Sequence, residues 1–197
     1  GGPPGFVLSP KGNPLLTHAL RLVGVDPALA KVCGAGVLNL RENLGPFLGQ
    51  FPPNFKFDPE PMEHFLSMLP HDTDAAVELA SHHEARMNGR AAFEPGPKRK
   101  LRHAVEIRHE SFNDPAFIAL LRKYKVAVVV ADTAGKWPLI EDVCADFVYL
   151  RLHGEEELYA SGYTEEALDH WAARIKAWST GGQVDDAHCV SPKGPAK

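Results

Sequence analysis

The chain has 197 residues, of which 44% are hydrophobic and 23% are charged, and its formal net charge is −4. This is an ordinary globular composition, and the length suits one sizeable domain. Nucleic-acid partners leave a basic footprint, which a net negative charge does not provide. No apolar run approaches the roughly 20 residues that span a bilayer. The first ten residues do not have the pattern of a secretory signal. We therefore expect neither a nucleic-acid nor a membrane partner.

Three cysteines lie far apart along the chain, at Cys33, Cys144 and Cys189. They form no CxxC pair, and an odd number does not fit a closed disulfide framework. Reduced thiols in a cytoplasmic protein are the expected state, since disulfides are rare in that compartment.

Five short apolar runs have the length and composition of β-strands. They are residues 5–10, 46–51, 103–108, 126–131 and 146–152. The fourth, VAVVVA, is apolar on both faces, which is typical of a strand covered on both sides in a parallel sheet.

Helical patterns alternate with these runs. Three of them follow an Asp-Pro pair, in which Asp caps the first turn and Pro suits the first helical position. The pairs are Asp26-Pro27, Asp58-Pro59 and Asp114-Pro115. Two further helices are predicted, over residues 73–87 and from Thr164 onward. The last helix is expected to bury Leu168, Trp171, Ile175 and Trp178, which recur at helical spacing.

Alternating strands and helices predict βαβ units and an α/β fold with a parallel sheet. We expect residues 1–180 to form one domain of the (β/α)₈ barrel type, 87–100 to be an exposed loop, and 181–197 to be a loop or a disordered tail.

Two of the predicted strands end in charged residues. In "AVEIRHESF" and "FVYLRLHG", apolar residues alternate with polar ones. In a barrel, the last inward residues of each strand reach the carboxyl-terminal rim, where such enzymes keep their active sites.

Four segments in this order resemble the motifs of domain of unknown function family 72, the YecE-like proteins. They are "LGPFLGQFPPNFKFD", "AVEIRHESF", "VVVADTAGKWP" and "FVYLRLHG". The resemblance runs from about Phe6 to about Trp178 and implies a TIM-type barrel. The family is loosely described as related to sugar isomerases and has no established reaction. Family motifs of the first two strands and the last strand are missing. By that comparison we expect a fragment, an incomplete barrel of about five parallel strands.

Seven polar residues are placed by this fold at one rim of the barrel. Glu106, Asp132 and His153 are the candidate acid–base groups, because carboxylates and imidazoles are the usual proton carriers. Four further residues are the candidates for substrate binding, with Arg suited to carboxylates and phosphates. These four are Lys11, Gln50, Arg108 and Arg151. Each residue alone has a structural interpretation, in which the charges pair with one another and close the barrel mouth.

The favoured hypothesis is an enzyme that acts on a small polar or anionic substrate, sugar-like among the options, by acid–base chemistry. One alternative is a non-catalytic protein that binds an anion or metabolite. Another is a metal-dependent phosphoesterase or isomerase, with Glu106, Asp132 and His153 as ligands. No ligand-spaced motif such as HExxH occurs, and the sequence specifies no cofactor. Trp137 is open to two interpretations, a stacking wall for a ligand or a lid on the barrel. Thr17-His18 resembles a Thr-His pair of the same family and is a secondary candidate for the site.

Overall fold

The structure is a computed structural model that describes residues 7–11, 42–87, 96–153 and 162–191, the side chains of 82–87 excepted. The predicted helix that follows Asp26-Pro27, the pair Thr17-His18 and most of the loop 87–100 lie outside the described residues. The chain divides into two compact units. The first unit comprises residues up to Pro52 together with Phe57–Glu106, and the second comprises Pro53–Lys56 and the residues from Ile107 onward.

Among its described residues, the first unit has two parallel strands and two helices. Strand β1 is Phe47–Gln50 and β2 is His103–Glu106, paired in a register that sets Gln50 beside Glu106. Helix α1 spans Pro59–Ser67 and α2 spans Thr73–Met87. The Asp58 carboxylate accepts a hydrogen bond from the Glu60 N–H and caps α1, as the Asp-Pro signal predicts.

Residues 7–11 run alongside β1. Leu8 and Lys11 form isolated parallel bridges with Leu44 and Leu48. Gly45 makes this close approach possible. A Cβ atom on Gly45 would lie 2.6 Å from a Val7 methyl carbon and 3.0 Å from the Leu8 carbonyl oxygen. The predicted strand 5–10 is therefore present, in its described part, as bridged extended chain.

The described part of the second unit likewise has two parallel strands and two α-helices. Strand β3 is Ala127–Asp132 and β4 is Tyr149–Leu152. Helix α3 spans Pro115–Tyr124 and α4 spans Glu165–Ser179. The caps are the predicted ones, because Asp114 accepts from the Ala116 N–H at 2.8 Å and Thr164 accepts from the Ala167 N–H at 3.2 Å.

The predicted buried stripe of α4 is wrong in part. Leu168 and Ile175 are 52% and 51% exposed, whereas Trp171 and Arg174 are buried. The reason is an ion pair that the helical pattern does not reveal. The Arg174 Nε–H donates to Glu141 Oε1 at 2.6 Å, and Glu141 is fully buried. The buried face of α4 is thus determined by the ion pair of Arg174 with Glu141 as well as by the apolar side chain of Trp171.

Parallel strands alternate with helices in both units, which confirms the predicted α/β class. Four strands are described where five were predicted, with residues 7–11 contributing only bridges. The (β/α)₈ barrel itself stays a prediction. Among the described helices, none has both the length and the apolar character to cross a membrane.

Candidate functional site

In the first unit, two predicted site residues lie at the carboxyl ends of neighbouring strands. Gln50 is the last residue of β1 and Glu106 the last residue of β2, and the register sets them side by side. The Gln50 Nε2–H donates to Glu106 Oε1 at 2.7 Å. Glu106 is 1% exposed, so this amide satisfies a carboxylate that is almost wholly removed from water. The structure therefore brings these two candidate residues into contact.

Lys11 lies on the extended segment beside β1, the strand that carries Gln50. Its bridge partner is Leu48, two residues before Gln50, and the Leu48 N–H donates to the Pro10 carbonyl at 3.0 Å. The residue is exposed. In the first unit, then, a cation, an amide and a carboxylate lie on three adjacent segments.

In the second unit, Asp132 is held in place by its neighbours. Its Oδ1 accepts from the Ala134 N–H at 3.3 Å, and its Oδ2 accepts from the Tyr163 O–H at 3.1 Å. The His153 N–H donates to the Asp132 carbonyl at 2.8 Å. Two of the three candidate acid–base residues are thus adjacent in space, and the Asp132 carboxylate has a defined orientation.

Sequence reasoning missed Tyr163. It directly precedes Thr164, the N-cap of the helix that follows β4. In a strand–helix unit this position lies near the carboxyl end of the preceding strand, where sites form. That position was the available signal, but a single tyrosine in a loop shows no periodicity.

Asp132 does not lie on the same face of the sheet as Arg151, although the sequence predicts that both residues belong to one rim. Strand β3 continues one residue beyond its predicted end, so Asp132 pairs with Leu152 within the sheet while Ala131 pairs with Arg151. Paired residues in a sheet share a face and successive residues alternate. The register thus sets Arg151 and Asp132 on opposite faces of the β3–β4 pair. Strand alternation sets His153 on the face of Arg151.

Arg108 contacts a tryptophan. Strand β2 ends at Glu106, so Arg108 lies two residues beyond the strand instead of within it. Its Cζ atom is 5.6 Å from the centroid of the Trp137 ring, and Lys136 Nζ is 5.5 Å from it. Trp137 belongs to the loop that begins directly after Asp132, the last residue of β3.

A metal centre was the alternative use of these carboxylates and histidines. Within the part of the chain that the structure describes, no three His, Cys, Asp or Glu residues are grouped so that they could hold a metal ion. The metal-dependent alternative therefore rests on the sequence alone.

These features define an α/β protein with parallel strands and ionisable residues at the carboxyl ends of the strands. The chain belongs to the family described as protein of unknown function DUF72, whose model matches residues 2–193. The predicted family membership is confirmed.

One solved structure extends the comparison. A DUF72 family protein from Thermotoga maritima has a similar fold, with a TM-score of 0.63 and 20% sequence identity. The match covers 91% of this chain and 65% of that one, so the chain spans just under two thirds of the length of the Thermotoga protein. None of the curated proteins compared with the chain matches it.

Proposed function

We propose that this DUF72 protein is an enzyme that acts on a small polar or anionic substrate by acid–base chemistry at the carboxyl ends of its strands. The observation that carries the proposal is the held carboxylate of Asp132. A side chain fixed by a tyrosine hydroxyl and a backbone N–H keeps its orientation, which a proton-transfer group needs. His153 is the residue directly after β4, the strand that pairs with β3.

The three acid–base candidates divide by environment. Glu106 is buried against Gln50, whereas Asp132 and His153 are half-buried and closer to solvent. Carboxylates in different surroundings take different roles, one holding a proton and another remaining charged. In this proposal His153 exchanges a proton with a substrate bound on the face of Arg151, while Asp132, which the register sets on the other face, and Glu106 are the further acid–base candidates.

The substrate is bound by the cationic and amide side chains. Arg108, Arg151, Lys11 and Gln50 supply N–H donors, and arginine binds planar carboxylates and phosphates through two hydrogen bonds at once. The same groups support the second candidate, a protein that binds an anionic metabolite without turnover. The carboxylates and histidine favour the enzyme, because anion binding alone does not require them.

The test is calorimetric titration of the chain with inorganic phosphate and glucose 6-phosphate, followed by product analysis. Arg151→Ala is expected to weaken anion binding about tenfold, as for loss of one charge-assisted hydrogen bond. Lys176→Ala, which removes a positive charge from the exposed side of α4, is the matched control and should bind as the wild type does. His153→Ala should still bind the anion but lose turnover. Binding that Arg151→Ala leaves unchanged would contradict the proposed site, and turnover retained in His153→Ala would contradict the acid–base role.

A further inference from the structure

The loop after β3 fixes the position of a tryptophan. Thr133 Oγ1 accepts from the Trp137 N–H at 3.0 Å, and the Thr133 carbonyl accepts from the Lys136 N–H at 3.1 Å. Ala134 and Gly135 have φ angles of 50° and 82°, in the left-handed region. The turn is therefore built by two successive left-handed residues and closed by hydrogen bonds at both ends. Such a turn fixes the backbone that carries the indole close to the end of β3.

Two cations lie against this indole. The Arg108 guanidinium and the Lys136 ammonium are 5.6 Å and 5.5 Å from the ring centroid. Both distances are within the range of about 6 Å in which a cation is attracted to an aromatic face. Trp137 and Arg108 are half-buried and Lys136 is exposed. A partly exposed indole and two positive charges thus lie together.

This combination selects for ligands that have two properties at once. A sugar ring presents an apolar C–H surface that packs on indole, but a neutral sugar gains nothing from the cations. Inorganic phosphate gains from the cations but nothing from the indole. A ring that carries an anionic group uses both features.

We propose that Trp137, Arg108 and Lys136 form a binding site for a ring-shaped anion of the sugar phosphate class. The ring packs on the indole, and the phosphate is bound by the two cations. This inference rests on the proposed function, because it names the substrate class of the site at the strand ends. Asp132 lies beside the loop, and the Ala134 N–H from which its carboxylate accepts belongs to the same turn.

The test compares three probes by calorimetric titration: glucose 6-phosphate, glucose and inorganic phosphate. Wild-type chain should bind glucose 6-phosphate about tenfold more tightly than phosphate, since packing on an aromatic ring contributes of that order. Trp137→Leu should remove this preference and change phosphate affinity less than about twofold. Trp137→Phe, which keeps an aromatic ring, should retain part of the preference. Lys136→Met should weaken both anions together.

The matched control is Trp178→Leu, which removes a tryptophan from α4. Trp178 donates to Gln183 Oε1 at 2.7 Å and belongs to no part of this loop. This variant should keep the full preference, with circular dichroism verifying the fold of each variant. If the two anions bind equally in the wild type, or if the preference survives Trp137→Leu, the ring site is wrong while the anion site of the proposed function stands. If neither anion binds, both proposals fail.

Discussion

His103 is an ionisable side chain in the interior of the first unit. It is 6% exposed, its ring stacks on Phe47 with centroids 5.4 Å apart, and its Nε2 lies 2.6 Å from the Pro70 carbonyl oxygen. A carbonyl only accepts, so this nitrogen carries the proton. Burial lowers the pKa of His103 from 6.5 to about 4, with the neighbouring His71 acting in the same direction and the Pro70 hydrogen bond against it. The folded state therefore holds a neutral imidazole.

The lowered pKa of His103 predicts a pH dependence of stability. Below pH 6.5 the unfolded chain takes up a proton at this residue that the folded chain refuses until about pH 4. The contribution of His103 is thus complete above pH 6.5 and is lost as the pH falls from 6.5 to 4. Between about pH 7.5 and about pH 5 the free energy of unfolding should fall by about 2 kcal/mol.

Urea unfolding at the two pH values measures this difference. His103→Gln retains an N–H donor but does not titrate, so the fall in its unfolding free energy between the two pH values should be smaller than in the wild type by about 2 kcal/mol. A variant that loses as much stability as the wild type over this range would show that another group is responsible.

At the scale of elements, residues 141–142 and 183–191 form a clasp with α3 and α4. Glu141 accepts from Arg174 and from the His188 N–H at 2.8 Å. Asp142 accepts from the Val190 and Ser191 N–H groups at 2.7 and 2.8 Å. Burial opposes the charge on Glu141, but these donors outweigh it and lower its pKa. The described part of the predicted tail has neither helix nor strand, yet it is bound by buried carboxylates.

Arg174→Met tests the clasp. Removal of the cation leaves Glu141 buried without its main partner, so the free energy of unfolding should fall by roughly 3–5 kcal/mol. The double variant Arg174→Met, Glu141→Leu should recover much of the loss, because no charge is left buried. Lys176→Met, on the exposed side of the same helix, is the control. Chemical denaturation measures all three, and a loss below about 1 kcal/mol in Arg174→Met would show that the ion pair is not a main support.

Exposure on α4 gives a second prediction at this scale. Leu168→Gln and Ile175→Gln should change stability by less than about 0.5 kcal/mol each, as exposed positions do. Trp171→Ala should cost roughly 3–5 kcal/mol, because it empties a buried site. Thermal melting compares the three variants. Comparable losses of stability in Leu168→Gln and Trp171→Ala would instead support the buried apolar stripe that the sequence predicts.

The elements that local chemistry determines could be predicted from the sequence. Asp58, Asp114 and Thr164 cap their helices because capping depends on only a few neighbouring residues. The burial of Arg174 could not be predicted, because it depends on Glu141, 33 residues away. The same holds for the bond between Tyr163 and Asp132, which are 31 residues apart. The adjacency of Gln50 and Glu106 could be predicted, since strands in parallel register bring their ends together.

At the scale of the whole molecule, the proposed function depends on where a ligand binds. The chain belongs to the DUF72 family, and its similarity to the Thermotoga protein supports the α/β fold. An identity of 20% gives no information on function. Barrel closure and the meeting of all seven predicted site residues at one rim stay predictions.

The most direct measurement is a two-dimensional ¹H–¹⁵N NMR titration of the labelled chain with glucose 6-phosphate. We predict that the amide signals of Asp132, Trp137 and His153, all in the second unit, shift together and saturate with one dissociation constant. Signals of the clasp and of the exposed side of α4 should stay in place. Shifts that are confined to the clasp or to α4, or saturation of these three signals at different concentrations, would contradict a single site at the carboxyl ends of β3 and β4.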